Sequence, residues 1–416
     1  MTDDVESGTR LQAQACVVGG GPAGMMLGYL LARAGIETIV LEKHGDFLRD
    51  FRGDTVHPST LRIMDELGLL ERFLQRPHDK LQKIDGLFGT TSIRLADMSR
   101  LNVKANYIAF MPQWEFLDFL MQEGKALPKL KVMLNAECTD LTFDGAPENG
   151  RVTGVIATTP QGPVTIAADL TIGCDGRHST TREKGRMKVE VIGAPIDVLW
   201  FRVAKQRNET DVFGRFDRGK MIVTLDRGDY WQCAYVIGKG TTDKVKAKGI
   251  EAFRESVASL APQLRAHIDD LKSFDDVKLL TVAIDRLQQW SRPGLLCIGD
   301  AAHAMSPVGG VGINLAIQDA VATANILADT FGKGPQSNET LDLVRQRRLW
   351  PTKVTQGIQI MVQNRIITPT LQSDGGPITP PLMLKLISMF PVLQGLAARV
   401  MGLGVRPEHV QTPDRR

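Results

Sequence analysis

The sequence lacks a strong excess of charge of either sign, and this absence limits the partners to be expected. Its 50 basic and 47 acidic residues leave a formal net charge of +3 over 416 residues. Proteins that bind nucleic acids usually concentrate a basic excess on one face. The composition therefore gives no electrostatic reason to expect a nucleic-acid partner.

Cysteine is also scarce, and its spacing excludes two kinds of site. Five cysteines are scattered along the chain without a Cys-x-x-Cys pair: Cys16, Cys138, Cys174, Cys233 and Cys297. This spacing predicts neither a metal site nor a disulfide framework, and it agrees with a reducing cytoplasm. Cys16, Cys174 and Cys297 lie in apolar runs, where a free cysteine behaves as a small buried hydrophobe.

No window comes close to the roughly 20 uninterrupted apolar residues that a membrane span needs. The nearest, residues 380–405, is interrupted by Lys385, Pro391 and Arg399. The first ten residues are polar and acidic, so we expect no signal peptide and a cytoplasmic protein. Helical spacing over residues 382–400 predicts a packed or dimer-forming helix, which makes a homodimer one expectation, whereas transient membrane contact is the less favoured alternative.

The N-terminal region has the pattern of a strand, a turn, a helix and a second strand. The apolar run over residues 15–18 predicts a buried parallel strand, and residues 37–41 predict the next one. Between them we expect a helix over residues 23–34, with Gly35 as its C-cap. Such a βαβ unit normally closes with a right-handed crossover.

The turn of this unit carries the spacing Gly19-x-Gly21-x-x-Gly24. Gly19 permits the tight turn, Gly21 lets the backbone approach a phosphate, and Gly24 lets the helix pack close to the sheet. The helix N-terminus then offers N–H groups to a pyrophosphate. Glu42, at the end of the second strand, suits both ribose hydroxyls. These features predict a dinucleotide site, which could serve FAD or NAD.

The middle of the chain changes character. Short β-rich runs over residues 198–203, 212–216, 221–225 and 230–237 are separated by turn-forming segments and predict an antiparallel meander. A helix is expected over residues 251–260. Beyond Asp342 we predict a helical tail with breaks at prolines, which include Pro351, Pro369, Pro380 and Pro381.

Two further motifs follow apolar strands. Asp175-Gly176 comes after the run over residues 170–173, and Gly299-Asp300 comes after the run over residues 294–298. The second leads into Pro307 and the glycine-rich segment 309–314, whose N–H groups would face the space before a helix. Both aspartates have a plainer interpretation as turn formers, which the surrounding motifs disfavour.

Together, the three motifs resemble the aromatic-hydroxylase family of single-component flavoprotein monooxygenases, over roughly residues 12–330. The resemblance implies FAD as cofactor, NADH or NADPH as a transient co-substrate, dioxygen, and a small activated aromatic substrate that is phenol-, aminoarene- or polyketide-like. In this family a C4a-hydroperoxide of the flavin passes oxygen to the ring. The sequence contains no second GxGxxG for a separate nicotinamide domain.

The resemblance also assigns individual residues. It implies cofactor contacts at Gly19, Gly21, Gly24, Glu42, Lys43, Arg52, Gln113, Asp175, Gly176, Asp300, Gly312, Ile313 and Asn314. Pro307 would lie beside the flavin, near the reaction and the substrate. Ser306 stands where many relatives have a second proline, which predicts a less rigid loop.

Other candidates keep two interpretations. His57 is either a base or substrate contact, or a solvated loop histidine. His303 is expected to brace its turn in preference to transferring a proton. Arg202, Trp231 and Tyr235 lie on meander strands that would cover the active site and are predicted to bind substrate. Because side chains alternate between the faces of a strand, about half of them point away.

The predicted fold class is therefore α/β, with a Rossmann-like FAD-binding domain, an antiparallel β-sheet substrate domain and a helical C-terminal segment. The predicted limits are 1–86, 104–186 and 278–345 for the first domain, 87–103 and 187–277 for the second, and 346–416 for the tail.

Two alternatives to hydroxylation remain at this point. One is a related flavin enzyme that acts on a quinol or prenyl substrate by halogenase or reductase chemistry. The other is a non-catalytic flavoprotein. The halogenase pattern of two tryptophans flanking one residue is missing around Trp231, and the intact Asp175-Gly176 and Gly299-Asp300 motifs disfavour a non-catalytic role.

Overall fold

The computed structural model describes residues 9–48, 55–205, 213–373 and 378–416. Its strands are β1 Thr9–Val18, β2 Thr38–Leu41, β3 Thr55–Val56, β4 Asp79–Leu81, β5 Lys83–Phe88, β6 Thr91–Asp97, β7 Ile108–Phe110, β8 Leu130–Met133, β9 Glu137–Asp144, β10 Arg151–Thr159, β11 Gly162–Gly173, β12 Val189–Val191, β13 Ile196–Ala204, β14 Gly214–Asp217, β15 Lys220–Asp226, β16 Tyr230–Gly238, β17 Lys278–Leu280, β18 Asp285–Leu287, β19 Ser291–Arg292 and β20 Leu295–Cys297.

The helices are α1 Pro22–Arg33, α2 Pro58–Glu66, α3 Leu70–Phe73, α4 Gln113–Gly124, α5 Thr180–Lys184, α6 Thr242–Lys246, α7 Ile250–Leu260, α8 Gly312–Leu327, α9 Asn338–Val362, α10 Thr368–Leu371, α11 Leu382–Met389 and α12 Pro391–Gly402. Short 3₁₀ turns include Gly299–Ala301 and Val308–Gly310, and a π-helical turn spans Gln363–Ile367. This mixture of parallel and antiparallel sheets with helices confirms the α/β prediction.

The first sheet has a parallel core in the order β20, β11, β1, β2, β8. The chain leaves β1 toward β2 on one side and later adds β11 on the other, so the strand order reverses at β1. Ligands of open α/β sheets bind at the carboxyl ends of the strands at such a switch point. Val18 pairs with both Leu41 and Gly173, which brings the turns after all three strands to one edge.

Local sequence explains the βαβ unit at this switch point. Residues 15–18 are buried on both faces, as their unbroken apolar run predicts. Pro22 occupies the first turn of α1, where its missing N–H costs no hydrogen bond. Gly35 follows the helix at a φ of +84°, as a C-terminal glycine does. The predicted strand, helix and strand are therefore all confirmed.

The second sheet runs in the order β17, β13, β16, β15, β14, β5, β6 and is antiparallel except between β14 and β5. We call its two sides the helix face and the loop face. The helix face packs Leu199, Phe201 and Ile222 against α7 and the 3₁₀ turns that follow it. The loop face carries apolar side chains that Val308 and the tail helices cover. The predicted meander is confirmed, although residues 206–212 lie outside the described part of the chain.

Two strands of the second sheet cross the predicted domain limits. β5 begins at Lys83, before the expected boundary at residue 87, because it pairs with β14 and β6. β17 pairs with β13, which places residues 278–280 in this sheet and not in the first domain. The other limits remain a prediction.

The tail corrects the expected proline breaks. α9 continues through Pro351, and Pro369 lies in the first turn of α10. A proline inside a helix leaves the carbonyl four residues earlier without its N–H donor. At Pro351 that carbonyl belongs to Arg347, and Nη1 of Arg406 lies 3.5 Å from it. This donor explains how the chain accommodates Pro351.

The helix expected over residues 382–400 is two helices. α11 begins after Pro381, and α12 begins at Pro391 with a bend of 107° between the two axes. Both helices pack one side against the edge strand β6, and Ser388 Oγ accepts a hydrogen bond from the Arg94 backbone N–H. Among the described helices, no single one is long and apolar enough to cross a membrane.

A buried ionic cluster connects α8, α9 and the C-terminal segment. Arg348 is fully buried, and its Nε donates to Asp319 Oδ1 at 2.8 Å. Its Nη1 donates to Glu408 Oε1 at 3.0 Å and to the Arg406 carbonyl at 3.1 Å. Arg347 forms a second bond to Glu408 at 2.8 Å. One guanidinium thus bridges two buried carboxylates from distant parts of the chain, and Arg347 supplies a second positive charge to Glu408.

We predict that Arg348→Met destabilises the protein by about 3–5 kcal/mol, because it leaves the buried Asp319 carboxylate without one cation and weakens the pairing of Glu408. Urea unfolding at neutral pH measures the change. Arg345→Met is the matched control in the same helix, because Arg345 pairs with Asp342 near the surface and its loss should cost less than about 1 kcal/mol. Equal losses in the two variants would contradict the prediction.

Candidate functional site

The glycine turn after β1 has the close contacts that its spacing predicts. Gly19 has a φ of +105°, and a Cβ there would lie 2.5 Å from the Cys174 carbonyl oxygen. A Cβ at Gly24 would lie 1.9 Å from the Gly19 oxygen. A Cβ at Gly21 would meet nothing within 4 Å. The first and third glycines are therefore required by packing, and the second borders open space into which α1 directs its N-terminus.

Glu42 is fixed beside this turn. Its Oε2 accepts a hydrogen bond from the Gly20 N–H at 3.1 Å, and its Oε1 accepts one from the His44 N–H at 3.0 Å. The carboxylate is nearly buried, whereas the neighbouring Lys43 is exposed. The predicted ribose contact of Glu42 thus stays a prediction with compatible geometry.

The turn at Gly299-Asp300 reaches the same edge of the first sheet. Gly299 has a φ of +59°, and a Cβ there would lie 3.2 Å from Ala316 Cβ and 3.4 Å from Ala23 Cβ. The turn is therefore held between the start of α1 and the side of α8. Asp300 is half-buried in this turn, and its predicted contact with the cofactor stays a prediction.

Asp175 has a different role from the predicted one. Its Oδ1 accepts hydrogen bonds from Ser179 Oγ at 2.6 Å and Thr181 Oγ1 at 2.7 Å, and its Oδ2 accepts one from the Thr181 N–H at 2.9 Å. These bonds support the turn-forming interpretation. Gly176, at a φ of +83° with nothing within 4 Å of a Cβ, is the member of the pair that leaves room for a ligand.

The segment before α8 forms the second half of the site. Residues 307–313 are half-buried between fully buried neighbours on both sides. Pro307 leads into the 3₁₀ turn, and Gly309 and Gly310 have φ values of +82° and +63°. No side chain caps the N-terminus of α8. The N–H groups of Gly312 and Ile313 therefore belong to a helix end that favours negative charge.

The predicted flavin contact of Asn314 stays a prediction, because the hydrogen bonds of its side chain lie within the protein. Its side chain is buried, and its Oδ1 accepts hydrogen bonds from the His57 N–H at 2.9 Å and Thr60 Oγ1 at 2.8 Å. Its Nδ2 donates to the carbonyls of Thr55 and Gly310 at 3.2 and 3.4 Å. The amide is fully used in joining α8 to β3 and α2, so only its backbone can face a cofactor.

His57 is fully buried, which contradicts the interpretation as a solvated loop histidine. Its Nδ1 lies 2.9 Å from the Met401 carbonyl, which can only accept, so Nδ1 carries the hydrogen. Burial lowers the pKa of His57 to about 4, although the bond to Met401 opposes the shift. The ring is therefore neutral at physiological pH. Its Nε2 is an acceptor without a partner among the described residues.

His303 braces its turn, as expected. Its Nε2 lies 2.5 Å from Asp319 Oδ2, and the Gly299 N–H donates to the same oxygen at 3.1 Å. Burial raises the pKa of Asp319, but the neighbouring His303 and Arg348 outweigh burial and hold the pKa below its ordinary value. The Asp319 carboxylate thus stays ionised and fixes the Gly299-Asp300 turn to α8.

Three glutamines of the tail hold the loop at Pro307, and the sequence interpretation missed them. Gln356 Nε2 donates to the Asp285 and Ala304 carbonyls at 2.9 and 3.0 Å. Gln359 Nε2 donates to the Ser306 and Val308 carbonyls at 2.8 and 2.9 Å. Gln363 Nε2 reaches Ser306 Oγ at 2.5 Å.

These bonds tie down the loop that the serine at position 306 was expected to loosen. The three glutamines are buried at helical spacing, and this amide stripe on a buried face is the signal that could have revealed them. The π-helical turn begins at Gln363, and such turns recur at functional sites.

The predicted substrate residues divide between the faces of the second sheet. Trp231 and Tyr235 lie on the helix face, where Tyr235 Oη bonds Ser256 Oγ at 2.9 Å. This placement contradicts a substrate-binding role for both, because the loop at Pro307 lies on the opposite side. Arg202 lies on the loop face, close to the exposed end of β13. Its guanidinium is 5.0 Å from the centre of the Tyr230 ring.

Trp200, which the sequence interpretation missed, lies on the loop face two residues before Arg202. It packs against both apolar clusters of that face, together with Leu95 and Val223. Its buried indole N–H has no hydrogen-bond partner in the described part of the chain. Alternation from Phe201, an apolar core position, could have identified Trp200 only if the face had been known.

Two predicted cofactor residues are less well placed by the structure. Gln113 is half-buried in the first turn of α4, consistent with a polar contact. Arg52 lies outside the described residues. In the described ranges, no group of three or more His, Cys, Asp or Glu residues could hold a metal ion.

The residues present fit FAD as an extended dinucleotide. Open space borders Gly21 at one helix N-terminus, a carboxylate closes β2, and a second uncapped helix N-terminus with a half-buried loop lies on the same side of the sheet. Phosphates suit the first helix end, and a flavin ring edge suits the second.

Comparison with known proteins agrees with this geometry. Residues 12–357 match the family model described as FAD binding domain. The 6-methylpretetramide 4-monooxygenase of Streptomyces rimosus is 30% identical over 392 residues, which cover 92% of this chain and 91% of that protein.

Two solved structures share the fold. The p-nitrophenol 4-monooxygenase of Pseudomonas putida has a TM-score of 0.74 at 19% identity, covering 94% of this chain and 97% of that one. A flavin-dependent brominase has a TM-score of 0.73 at 15% identity, covering 95% and 94%. At these identities the likeness concerns the fold alone.

We predict that stability falls with pH below about 6.5 in part through His57. Its folded pKa of about 4 lies below the unfolded value near 6.5, so the unfolded chain binds the proton more tightly. Between pH 7 and pH 5 this group should remove about 2 kcal/mol of unfolding free energy. Urea unfolding of wild type and His57→Gln at both pH values measures the difference. A variant at the exposed His44 should keep the wild-type slope, and an unchanged slope in His57→Gln would disprove the assignment.

We predict that Gln359→Leu loosens the loop at Pro307. The change leaves two buried carbonyls without a donor, which costs about 1–3 kcal/mol. Hydrogen exchange of a peptide covering residues 304–312 should accelerate about tenfold or more, and the global unfolding free energy should fall less than local protection. Gln346→Leu, at an exposed position of the same helix, is the control. Unchanged exchange in the loop would show that the glutamine does not hold it.

Proposed function

The chain belongs to the family of FAD-dependent aromatic hydroxylases and is an FAD-dependent monooxygenase; from this premise we propose that it transfers one oxygen atom from dioxygen to a phenolic substrate with several fused rings, using NADH or NADPH as the reductant. The proposal adds the substrate class and the nicotinamide reductant to the activity of the family.

One observation carries the proposal for the substrate. The loop face of the second sheet carries apolar side chains beside the half-buried Pro307 loop; Val308 packs against them, and tail residues such as Ile366 cover others. Leu95, Trp200 and Val223 are only partly buried although they connect two apolar clusters. An apolar lining of this kind suits an aromatic molecule, because ligand pockets are mostly apolar with few polar groups.

Two buried polar atoms lack a partner in the described ranges, one on the loop face at Trp200 and one at His57. The Trp200 indole N–H can donate to a carbonyl or phenolic oxygen, and the neutral Nε2 of His57 can accept from a hydroxyl. Buried polar groups without a partner favour a ligand that satisfies them. The name of the Streptomyces rimosus relative, a monooxygenase of 6-methylpretetramide, also supports a multi-ring substrate.

When bound, FAD supplies the redox chemistry: it accepts a hydride from the nicotinamide and activates dioxygen. The chain provides the surroundings. The N–H groups at the start of α8 stabilise negative charge before that helix, and Pro307 restricts the loop that Gln359 and Gln363 hold. The apolar loop face excludes water from the reacting groups. Asp175, Asn314 and His303 maintain the turns, and none of them acts as a nucleophile.

The experiment follows NADH and NADPH oxidation by the purified flavoprotein against single-ring phenols, aminobenzoates, quinols and multi-ring phenols, with product mass spectrometry. We expect a gain of one oxygen and the highest kcat/KM with multi-ring phenols. Trp200→Phe should raise KM about three- to tenfold with little change in kcat, because it removes one neutral hydrogen bond. Trp350→Phe, at an exposed position, should match wild type.

Three outcomes would overturn the proposal. Substrate-independent oxidation that yields only hydrogen peroxide would contradict oxygen transfer to an aromatic ring. Incorporation of halide in place of oxygen would favour the chemistry named for the brominase neighbour. Preference for single-ring phenols, unaffected by Trp200→Phe, would contradict the substrate class while leaving hydroxylation intact.

A further inference from the structure

The bent helix pair α11–α12 exposes a continuous set of large apolar side chains. Leu382, Met389, Val392 and Leu396 are 72%, 69%, 81% and 57% exposed, and Met383, Leu386 and Phe390 are exposed as well. A monomeric protein rarely presents so many large apolar groups together without a partner. Neither the FAD site nor the loop face uses this surface, which we call the apolar wedge.

The wedge is convex. The inner side of the bend packs Leu384, Gln394 and Ala398 against β6 and the 3₁₀ turn that follows it. Gln394 Nε2 also donates to the Ser388 carbonyl at 2.8 Å, which ties the two helices across their corner. The outer side of the bend therefore projects Met389, Phe390 and Val392 at its apex.

The charged residues within the wedge segment itself are of one sign, whereas the neighbouring Asp85 and Asp97 are paired with Arg94 and Arg100. Between residues 378 and 407 the basic residues are Lys385, Arg399 and Arg406, and no aspartate or glutamate occurs. Lys385 and Arg399 are exposed, and neither has a carboxylate within 4 Å in the described residues. The nearby Arg62 feels the Arg399 charge, and burial with this charge lowers its pKa while Glu66 opposes the shift. The surface thus complements an anionic partner.

The length and composition of the α11–α12 pair match a membrane segment, but the geometry of the pair does not suit a helix that spans a bilayer. The two helices together pass as apolar enough to cross a bilayer, yet they bend by 107° and hold one side on β6. An apolar convex surface with flanking cations instead suits a helix that lies in the membrane interface, about 5–10 Å deep. A second copy of this chain would bring the same unpaired cations together across a two-fold axis, which disfavours a dimer through this surface.

We propose that the apolar wedge binds the surface of an anionic lipid bilayer, with Met389, Phe390 and Val392 inserted and Lys385 and Arg399 at the headgroups. Each basic side chain near such a surface contributes about a fivefold increase in binding. Binding to vesicles of equal phosphatidylglycerol and phosphatidylcholine should therefore exceed binding to pure phosphatidylcholine by about tenfold or more at low salt, and it should weaken as salt is added.

The test is vesicle flotation of the FAD-loaded full chain with those two compositions. Leu396→Asp should reduce flotation about tenfold or more because it places a charge among the exposed apolar side chains of the wedge, beside the inserted apex. Leu343→Asp is the matched control, since Leu343 is 47% exposed on α9 outside the wedge. Lys385→Glu should reduce binding to the anionic vesicles alone, and Lys353→Glu, at an exposed site of α9, should not. Flavin content and thermal midpoint establish that each variant is folded.

Light scattering without lipid tests the alternative occupant of the wedge, a second copy of this chain. A monomeric wild type that floats with anionic vesicles supports the proposal. A wild-type dimer that Leu396→Asp converts to a monomer, with no flotation in either, would overturn it in favour of a second copy. Equal binding to both vesicle compositions would contradict the anionic headgroup assignment.

Discussion

The carboxylate of Asp319 lies at the centre of the protein, and three parts of the chain depend on its charge. The Gly299 N–H and the His303 ring bind one oxygen, and the Arg348 guanidinium binds the other. A buried carboxylate is costly unless cations and donors surround it. The groups that surround the Asp319 carboxylate come from the Gly299-Asp300 turn and from the long helix α9. The same carboxylate therefore positions both this turn and the tail helix.

This connection explains how a helix far along the chain controls a loop of the first domain. Arg348 fixes α9 on α8. Gln356 lies about two helical turns beyond Arg348, and Gln359 and Gln363 follow at steps of about one turn each. Their amides reach the backbone that carries Ser306 and Pro307. A serine at position 306 costs the loop the rigidity of a second proline. Hydrogen bonds from the glutamines restrain it by a different means.

Much of the first domain was predictable because its constraints are local. A side chain at position 19 or 24 would overlap a carbonyl oxygen, so both positions require glycine. The spacing of Gly19 and Gly24 therefore identifies the turn from the sequence. The apolar run before Gly19 predicts a strand buried on both faces for an equally local reason. Position within a βαβ unit then brings Glu42 and Asp300 to the same edge of the sheet.

The sequence does not show which partner a polar side chain takes in the folded chain. Asp175 and Asn314 are polar residues of the predicted motifs, yet each bonds protein groups that only the folded chain brings near. The same applies to the second sheet, where strand periodicity separates Trp200 from Trp231 but does not state which face meets the Pro307 loop. The helix α7, which covers one face, decides this, and its position is a tertiary fact.

The tail shows how one segment serves two environments. Its prolines were expected to end helices, but the effect of each depends on what the freed carbonyl meets. At Pro351 an arginine stands near that carbonyl, and the helix continues with its glutamines directed at the active-site loop. At Pro391 the chain turns by 107°, which leaves apolar side chains on the outside of the corner. Both helices set one side on β6 and the turn that follows it, and the opposite side remains exposed with its apolar side chains. At position 351 proline therefore lies inside the helix that holds the Pro307 loop, and at position 391 it lies at the corner of the apolar wedge.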